Sequence, residues 1–98
     1  SFKRFSEIAP ALISGEPLPD WAKQIRTEGA MEHKLFARQG KVYIFCGVAN
    51  GSPENGTIRL PIPAGRTLRD VLNDQQLEAN NEFLLKLHPG QGRIIEVK

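Results

Sequence analysis

The run of short apolar segments between residues 33 and 98 constrains the fold of this chain more than any other feature. Each segment ends at glycine, proline or asparagine, and the turns recur at a spacing of roughly ten residues, as in sandwiches and barrels. Antiparallel strands of this kind pack in two layers around one core. We therefore predict an all-β fold, an antiparallel β-sandwich of about six to eight strands, with a short helical segment at the N-terminus.

Residues 41–49 are predicted to form a central strand of this sandwich. They follow Gln39-Gly40, the clearest two-residue hairpin signal in the chain, which joins them to a strand over residues 33–38. Successive side chains of a strand point to opposite faces. One face carries Val42, Ile44, Cys46 and Val48, and the other carries Tyr43, Phe45 and Gly47. Because both faces are apolar, we expect this strand to be covered on both sides.

Further strands are predicted from the remaining apolar segments. They cover residues 25–27, 57–62, 82–87 and 93–97. Pro61 has no backbone amide to donate, so the strand that contains it either lies at a sheet edge or ends at this residue. Residues 67–72 fit either a strand or a short helical turn, and the sequence leaves both alternatives open.

The chain divides into a lead-in, residues 1–22, and the sandwich domain, residues 23–98. Within the lead-in, residues 2–13 place apolar side chains at the three-to-four spacing of a helix, with a kink at Pro10. Two prolines then hold the backbone extended and set Trp21 in a fixed place. Because the chain opens without a methionine and without a signal sequence, we expect it to be a piece of a longer polypeptide.

The charge and hydropathy of the chain argue against nucleic acid and membrane as partners. The chain has 13 Lys and Arg against 11 Asp and Glu, a formal net charge of +2. Its basic residues are scattered, whereas a nucleic-acid surface needs clustered positive charge. No run approaches the ~18 apolar residues of a membrane-spanning helix. The single cysteine permits no disulfide within the chain, and it assigns no compartment, since secreted domains can also lack disulfides.

No set of residues has the spacing of a catalytic, cofactor or metal site. Cys46 lies among apolar strand residues, where burial would raise the thiol pKa, so we expect it to be inert. His33 and His88 are far apart in the sequence, and neither has a neighbouring ligand pattern. The triplet Asn55-Gly56-Thr57 fits a glycosylation acceptor, but its Asn-Gly pair fits a turn with positive φ better.

Three aromatic residues form the main candidate binding surface. Tyr43 and Phe45 share a face of one strand, and Phe36 lies just across the hairpin. A flat row of aromatic rings can stack on sugar rings or on bases. The alternative is that a second layer covers this face, either the N-terminal segment or a neighbouring domain, and we favour this alternative.

The segment from Lys41 to Asn50 resembles a strand of the C-terminal β-sandwich that follows the catalytic barrel in many glycoside hydrolases. The resemblance continues in residues 35–40, 56–63, 67–72 and 83–97. Residues 7–13 are similar to the helix that leaves such a barrel. Because the catalytic carboxylates of that family lie on the barrel, the resemblance carries no catalytic residue onto this chain.

The resemblance implies a non-catalytic accessory domain that packs against the catalytic barrel of the same polypeptide and stabilises it. The side chains expected to line the contact are Phe2, Phe5, Ile8, Leu12 and Trp21. The alternative function is a carbohydrate-binding module whose stacking platform is formed by Phe36, Tyr43 and Phe45. A third class, a small barrel that binds single-stranded nucleic acid through these aromatics, Arg38 and Lys41, is disfavoured by the small charge excess.

Overall fold

The computed structural model describes residues 16–98, which form eight strands and one 3-10 helix. The helix spans Asp20–Gln24. The strands are β1 (Arg26–Gly29), β2 (Glu32–Arg38), β3 (Lys41–Gly47), β4 (Gly56–Pro61), β5 (Leu68–Asp70), β6 (Gln75–Leu77), β7 (Glu82–Leu87) and β8 (Gly92–Val97). All pairings between them are antiparallel.

The strands form two sheets, and the predicted antiparallel β-sandwich is confirmed. A three-stranded sheet has the order β1-β4-β7, and a five-stranded sheet has the order β2-β3-β8-β5-β6. The main cluster of buried apolar side chains contains residues of both sheets, so the facing sides of the sheets enclose one core. Ile58 and Leu60 of the small sheet, like Ile44 and Ile95 of the large sheet, are at most 1% exposed.

β3 is an interior strand of the five-stranded sheet and lies between β2 and β8, as its two apolar faces predicted. Val42, Ile44 and Cys46 belong to the core between the sheets. Phe45 points the other way, where it forms a second buried cluster with Ile94. The strand therefore has buried side chains on both faces.

The connection between β2 and β3 is the two-residue turn that the sequence predicted. Gln39 and Gly40 have φ angles of 53° and 77°, the two positive values that a type I′ turn requires. This turn length sets the register, in which Arg38 lies opposite Lys41. The hairpin therefore fixes which side chains of β2 and β3 are neighbours.

Pro61 ends a strand in the middle of its sheet. β4 lies between β1 and β7, so the edge alternative for this proline is wrong. The other alternative is confirmed, because Pro61 is the last residue of β4. β1 pairs with β4 only as far as Arg59, so the proline lies beyond the end of that pairing.

Residues 67–72 form a short strand followed by a turn, which resolves the ambiguity left by the sequence. Asp70 ends β5, because its carboxylate accepts hydrogen bonds from the backbone N and the Nδ2 of Asn73, at 3.2 and 2.9 Å. Arg93 Nε lies 3.6 Å from the same carboxylate. Nothing in the polar sequence of β6 predicts a strand. It pairs with β5 because the turn after Asp70 folds the chain back.

The Asn55-Gly56 pair does not form the positive-φ turn that the sequence predicted. Neither residue has a positive φ, and Gly56 is the first residue of β4. Glycine is needed here for space, since a Cβ atom on Gly56 would lie 2.5 Å from the backbone N of Met31. Position 56 therefore requires glycine because two backbones approach closely there, and not because of a turn.

Residues 16–22, the part of the lead-in that the structure describes, pack on the sandwich. Glu16 forms an isolated bridge with Ala37 of β2, and Pro19 has the extended angles φ −68° and ψ 158°. Trp21 follows in the 3-10 helix and packs against the core. The helix predicted over residues 2–13 lies outside the described residues. Between residues 16 and 98 no helix has the length and hydropathy needed to cross a membrane.

Candidate functional site on the outer face of the large sheet

The side of the five-stranded sheet that faces away from the core carries the three aromatic residues singled out in the sequence. The register places four side chains opposite one another in one row across β2, β3, β8 and β5: Phe36, Tyr43, Glu96 and Arg69. A neighbouring row contains Lys34, Phe45 and Ile94. We call the surface formed by these two rows the outer face.

Phe45 and Ile94 form the base of the outer face, and each is 2% exposed. The half-buried side chains that pack against them are Phe36, Tyr43, Val71 and Leu72. The rings of Phe36 and Phe45 meet edge to face, with centroids 5.5 Å apart and 77° between their planes, a favourable aromatic geometry. The predicted aromatic residues are thus brought together, but the angle between these two rings rules out one flat platform of all three.

Glu96 is a buried carboxylate within this surface, with 3% of its area exposed. Arg69 Nε donates a hydrogen bond to Glu96 Oε1 at 3.3 Å, and Arg69 Nη1 donates to Asp74 Oδ1 at 2.8 Å. Burial raises the pKa of Glu96, but hydrogen bonds from Arg69 and from Tyr43 lower it by more, so the net pKa lies below the usual value. Glu96 is therefore an ionised group held by two donors.

In the hydrogen bond between Tyr43 and Glu96, the tyrosine is the donor. Burial raises the pKa of its hydroxyl, and the hydrogen bond to Glu96 raises it further. The hydroxyl therefore stays protonated and donates to the carboxylate. The row therefore places the half-buried rings of Phe36 and Tyr43 next to the Glu96 carboxylate, which is held in position. Such a combination of apolar and polar groups can bind a ligand or pack against another domain.

Other reactive side chains of the described residues lie apart from the outer face or are inert. Burial raises the pKa of the Cys46 thiol to about 12, so the thiolate needed for nucleophilic attack does not form. His33 and His88 are exposed, and His88 Nδ1 lies 3.1 Å from Asn55 Oδ1. Within residues 16–98, no group of three or more His, Cys, Asp or Glu residues is placed to hold a metal ion.

The outward side of the three-stranded sheet has a different character. Its exposed charged side chains include Arg26, Glu28, Arg59 and Lys86. Arg59 forms an ion pair with Glu82, and Leu84 is 64% exposed among these charges. The sandwich thus has one outer side with an apolar cluster and one that is charged.

A cleft of about 490 Å³ lies beside Arg66, between the residues that precede β5 and those that follow β6. Its polar lining includes Gln76, Glu78 and Asn80, and no aromatic side chain contributes to it. Arg66 Nη1 donates to the carbonyl oxygen of Gly40 at 3.1 Å. Ligand sites are usually apolar with a few polar groups, so the outer face is the stronger candidate.

Trp21, the one predicted interdomain residue that the structure describes, does not belong to the outer face. Trp21 is half-buried against the core, in the 3-10 helix that contacts β4. Its Nε1 is enclosed and has no hydrogen-bond partner within the part of the chain that is described. The other predicted contact residues lie outside the described residues: Phe2, Phe5, Ile8 and Leu12.

Sequence reasoning missed three members of the outer face, Arg69, Ile94 and Glu96, and the two side chains that pack against it, Val71 and Leu72. One signal was present, because two successive isoleucines in the last strand indicate a strand covered on both faces, as in residues 41–49. The pairing of β8 with β3 and β5 joins segments distant in sequence. No local pattern encodes that pairing.

Comparisons with protein-family models, with curated protein sequences and with solved structures found no significant match to this chain.

Proposed function

We propose that this chain is a non-catalytic C-terminal accessory domain of a glycoside hydrolase, which packs against the catalytic barrel of the same polypeptide and stabilises it. The observation that carries the proposal is the second apolar cluster, on the outer face. A two-layer sandwich needs only the core between its sheets, yet Phe45 and Ile94 support half-buried apolar side chains outside that core. The resemblance of residues 41–50 to the C-terminal sandwich of glycoside hydrolases supplies the class of partner.

The contrast between the two outer sides supports an orientation for this contact. Interface centres are apolar and depleted of charge, while the rim is polar. At the centre of the outer face the aromatic rings are half-buried and Glu96 is paired with Arg69, while exposed Lys34 lies beside the rings. The small sheet presents mostly charged side chains. In the proposed assembly the outer face lies against the barrel and the small sheet faces solvent.

The test compares two exposed lysines on opposite sides of the sandwich, in the whole natural polypeptide. Lys34→Glu places a negative charge at the proposed contact, and Lys86→Glu makes the same change on the small sheet. We expect only Lys34→Glu to lower the temperature at which the hydrolase is inactivated, because only this substitution places a charge within the proposed contact. Both lysines are exposed, so neither substitution disturbs the core.

Equal inactivation temperatures for the two variants and the wild type would remove the outer face from the contact. A natural polypeptide without a catalytic barrel upstream of Ser1 would overturn the proposal itself. Trp21→Ala is a less selective test, since Trp21 packs on the core of this domain. The variant is expected to destabilise the hydrolase, and an unchanged stability would remove Trp21 from the contact residues.

The second candidate function is glycan binding by the outer face. It is favoured by one observation, the cross-strand pairing of half-buried Phe36 with half-buried Tyr43. Phe45 is almost fully covered, so Phe36 and Tyr43 would make the contact, with Phe45 supporting them. Retardation of the chain in gels that contain soluble polysaccharides, lost in Tyr43→Ala, would support this function. No retardation by any polysaccharide would favour the docking role.

A further inference from the structure

Two Asn-Gly pairs occur five residues apart in this chain, Asn50-Gly51 and Asn55-Gly56. An asparagine followed by glycine is prone to deamidation, because a glycine without Cβ lets its backbone nitrogen approach the preceding side chain. Identical dipeptides have the same intrinsic chemistry, so a difference in rate between them must come from the fold. The structure places the two pairs in different surroundings.

Asn50 and Gly51 are both exposed and occupy the tip of a turn. Ser52 N donates to the carbonyl oxygen of Ala49 at 3.1 Å, which closes the turn, and Gly51 has a φ of 88°. Apart from Gly51 and its two chain neighbours, no atom lies within 4 Å of the position that a Cβ on Gly51 would occupy. Within the described residues, no hydrogen bond holds the Asn50 side chain. The side chain lies beside Gly90, whose Cβ position would be 3.4 Å from Asn50 Oδ1, but both reacting groups can rotate without opening a sheet.

Asn55 and Gly56 are held from several sides. Asn55 Oδ1 lies 3.1 Å from His88 Nδ1, and the Asn55 carbonyl oxygen accepts a hydrogen bond from Ala30 N at 3.0 Å. Gly56 is buried and lies in register with both neighbours of β4. Its Cβ position is only 2.5 Å from the backbone N of Met31. Rotation of this dipeptide requires local opening of the sheet.

We propose that Asn50 is a site of spontaneous deamidation in the folded protein and that the fold protects Asn55. The backbone nitrogen of Gly51 attacks Cγ of Asn50, forms a C–N bond and expels ammonia. Water then opens the resulting succinimide at either carbonyl, which gives aspartate or isoaspartate at position 50. The net reaction consumes one water and releases one ammonia, and no oxidant or cofactor takes part.

The product carries one more negative charge at an exposed turn. The sandwich is retained, because neither Asn50 nor Gly51 contributes to the core. The expected outcome is a charge variant of the folded protein.

The test is incubation of the folded chain in mildly alkaline buffer, followed by peptide mass spectrometry. The fraction of each asparagine that has gained the mass of an amide-to-acid exchange is measured over time. We expect Asn50 to react at least roughly tenfold faster than Asn55, because only Asn55 needs local opening first. The same measurement in denaturant is the control, and there the two rates should become similar.

A second control is Asn50→Ser, which should remove the rapidly formed acidic variant on ion exchange and leave the rate at Asn55 unchanged. Equal rates at the two sites in the folded chain would overturn the proposal. An unreacted Asn50 in the folded chain, under conditions where the denatured chain reacts, would also overturn it.

Discussion

At the scale of single residues, Glu96 is a carboxylate buried on the outward side of a sheet. A buried charge without partners costs several kcal/mol, so a location with 3% exposure requires compensating contacts. Arg69 and Tyr43 supply them from the strands on either side. The cross-strand row thus ties β3, β8 and β5 together by side-chain hydrogen bonds to one carboxylate as well as by backbone hydrogen bonds.

Replacing Glu96 by Gln is expected to lower the free energy of unfolding by about 1–3 kcal/mol at neutral pH, because hydrogen bonds to a charged group are lost. The folded pKa of Glu96 lies below the unfolded one. Its stabilising contribution is therefore complete above the unfolded pKa, about 4.3, and disappears as the pH falls through the folded value. Urea unfolding at neutral and acidic pH should show the difference from wild type shrinking with acid.

Glu82→Gln is the matched control for this prediction. Glu82 pairs with Arg59 on the exposed side of the small sheet, where an ion pair contributes about 0–1 kcal/mol. If Glu96→Gln destabilises the protein no more than Glu82→Gln does, the buried pair is not a significant source of stability.

Cys46 is expected to be unreactive in the folded protein. Burial raises its thiol pKa to about 12, and the side chain has no exposed area, so neither the thiolate nor access is available. A colorimetric disulfide reagent in mildly alkaline buffer should react only as fast as the protein unfolds. Prompt reaction in denaturant is the control, and prompt reaction without denaturant would contradict the location of this thiol.

At the scale of the elements, the β2–β3 hairpin depends on its turn. Gln39 has a φ of 53°, which asparagine adopts more readily. We expect Gln39→Asn to stabilise the protein by about 0.5 kcal/mol and Gly40→Ala to destabilise it by about 1 kcal/mol, since φ is 77° at Gly40. Urea unfolding of both variants gives the test. A stabilising Gly40→Ala substitution would contradict the turn geometry.

The edge of β2 is protected by the end of the lead-in. Glu16 pairs with Ala37, and Glu16 Oε1 accepts a hydrogen bond from Gln39 N at 3.0 Å. The bridge is isolated, and Pro17 and Pro19, which lack backbone donors, follow at once. Another strand therefore cannot pair with β2 at this end of its edge.

At the scale of the whole molecule, one core joins the two sheets, so the described domain should unfold as a single cooperative unit. Trp21, the sole tryptophan of the sequence, packs on that core and reports on it. We expect the midpoints from tryptophan fluorescence and from far-UV circular dichroism to coincide in urea. Leu60→Ala should lower both midpoints together, by the equivalent of about 2–5 kcal/mol. Separate midpoints would show that the sheets unfold independently.

The sequence by itself determined the all-β class, the hairpin at Gln39-Gly40 and the double burial of β3. These features depend on alternation and turn chemistry, which are local and can be read along a few residues. Local patterns also limited residues 67–72 to two alternatives, of which the strand is observed. The class of partner rests on the resemblance to glycoside hydrolases and stays a proposal.

Only the tertiary structure decided how the strands are arranged between and within the sheets. It placed Pro61 at the end of a central strand, made Gly56 a point of close backbone contact and paired the polar β6 with β5. It also assembled the outer face, because β8 lies between β3 and β5 and brings Glu96 between Tyr43 and Arg69. These outcomes depend on pairings between segments distant in sequence, which no single segment specifies.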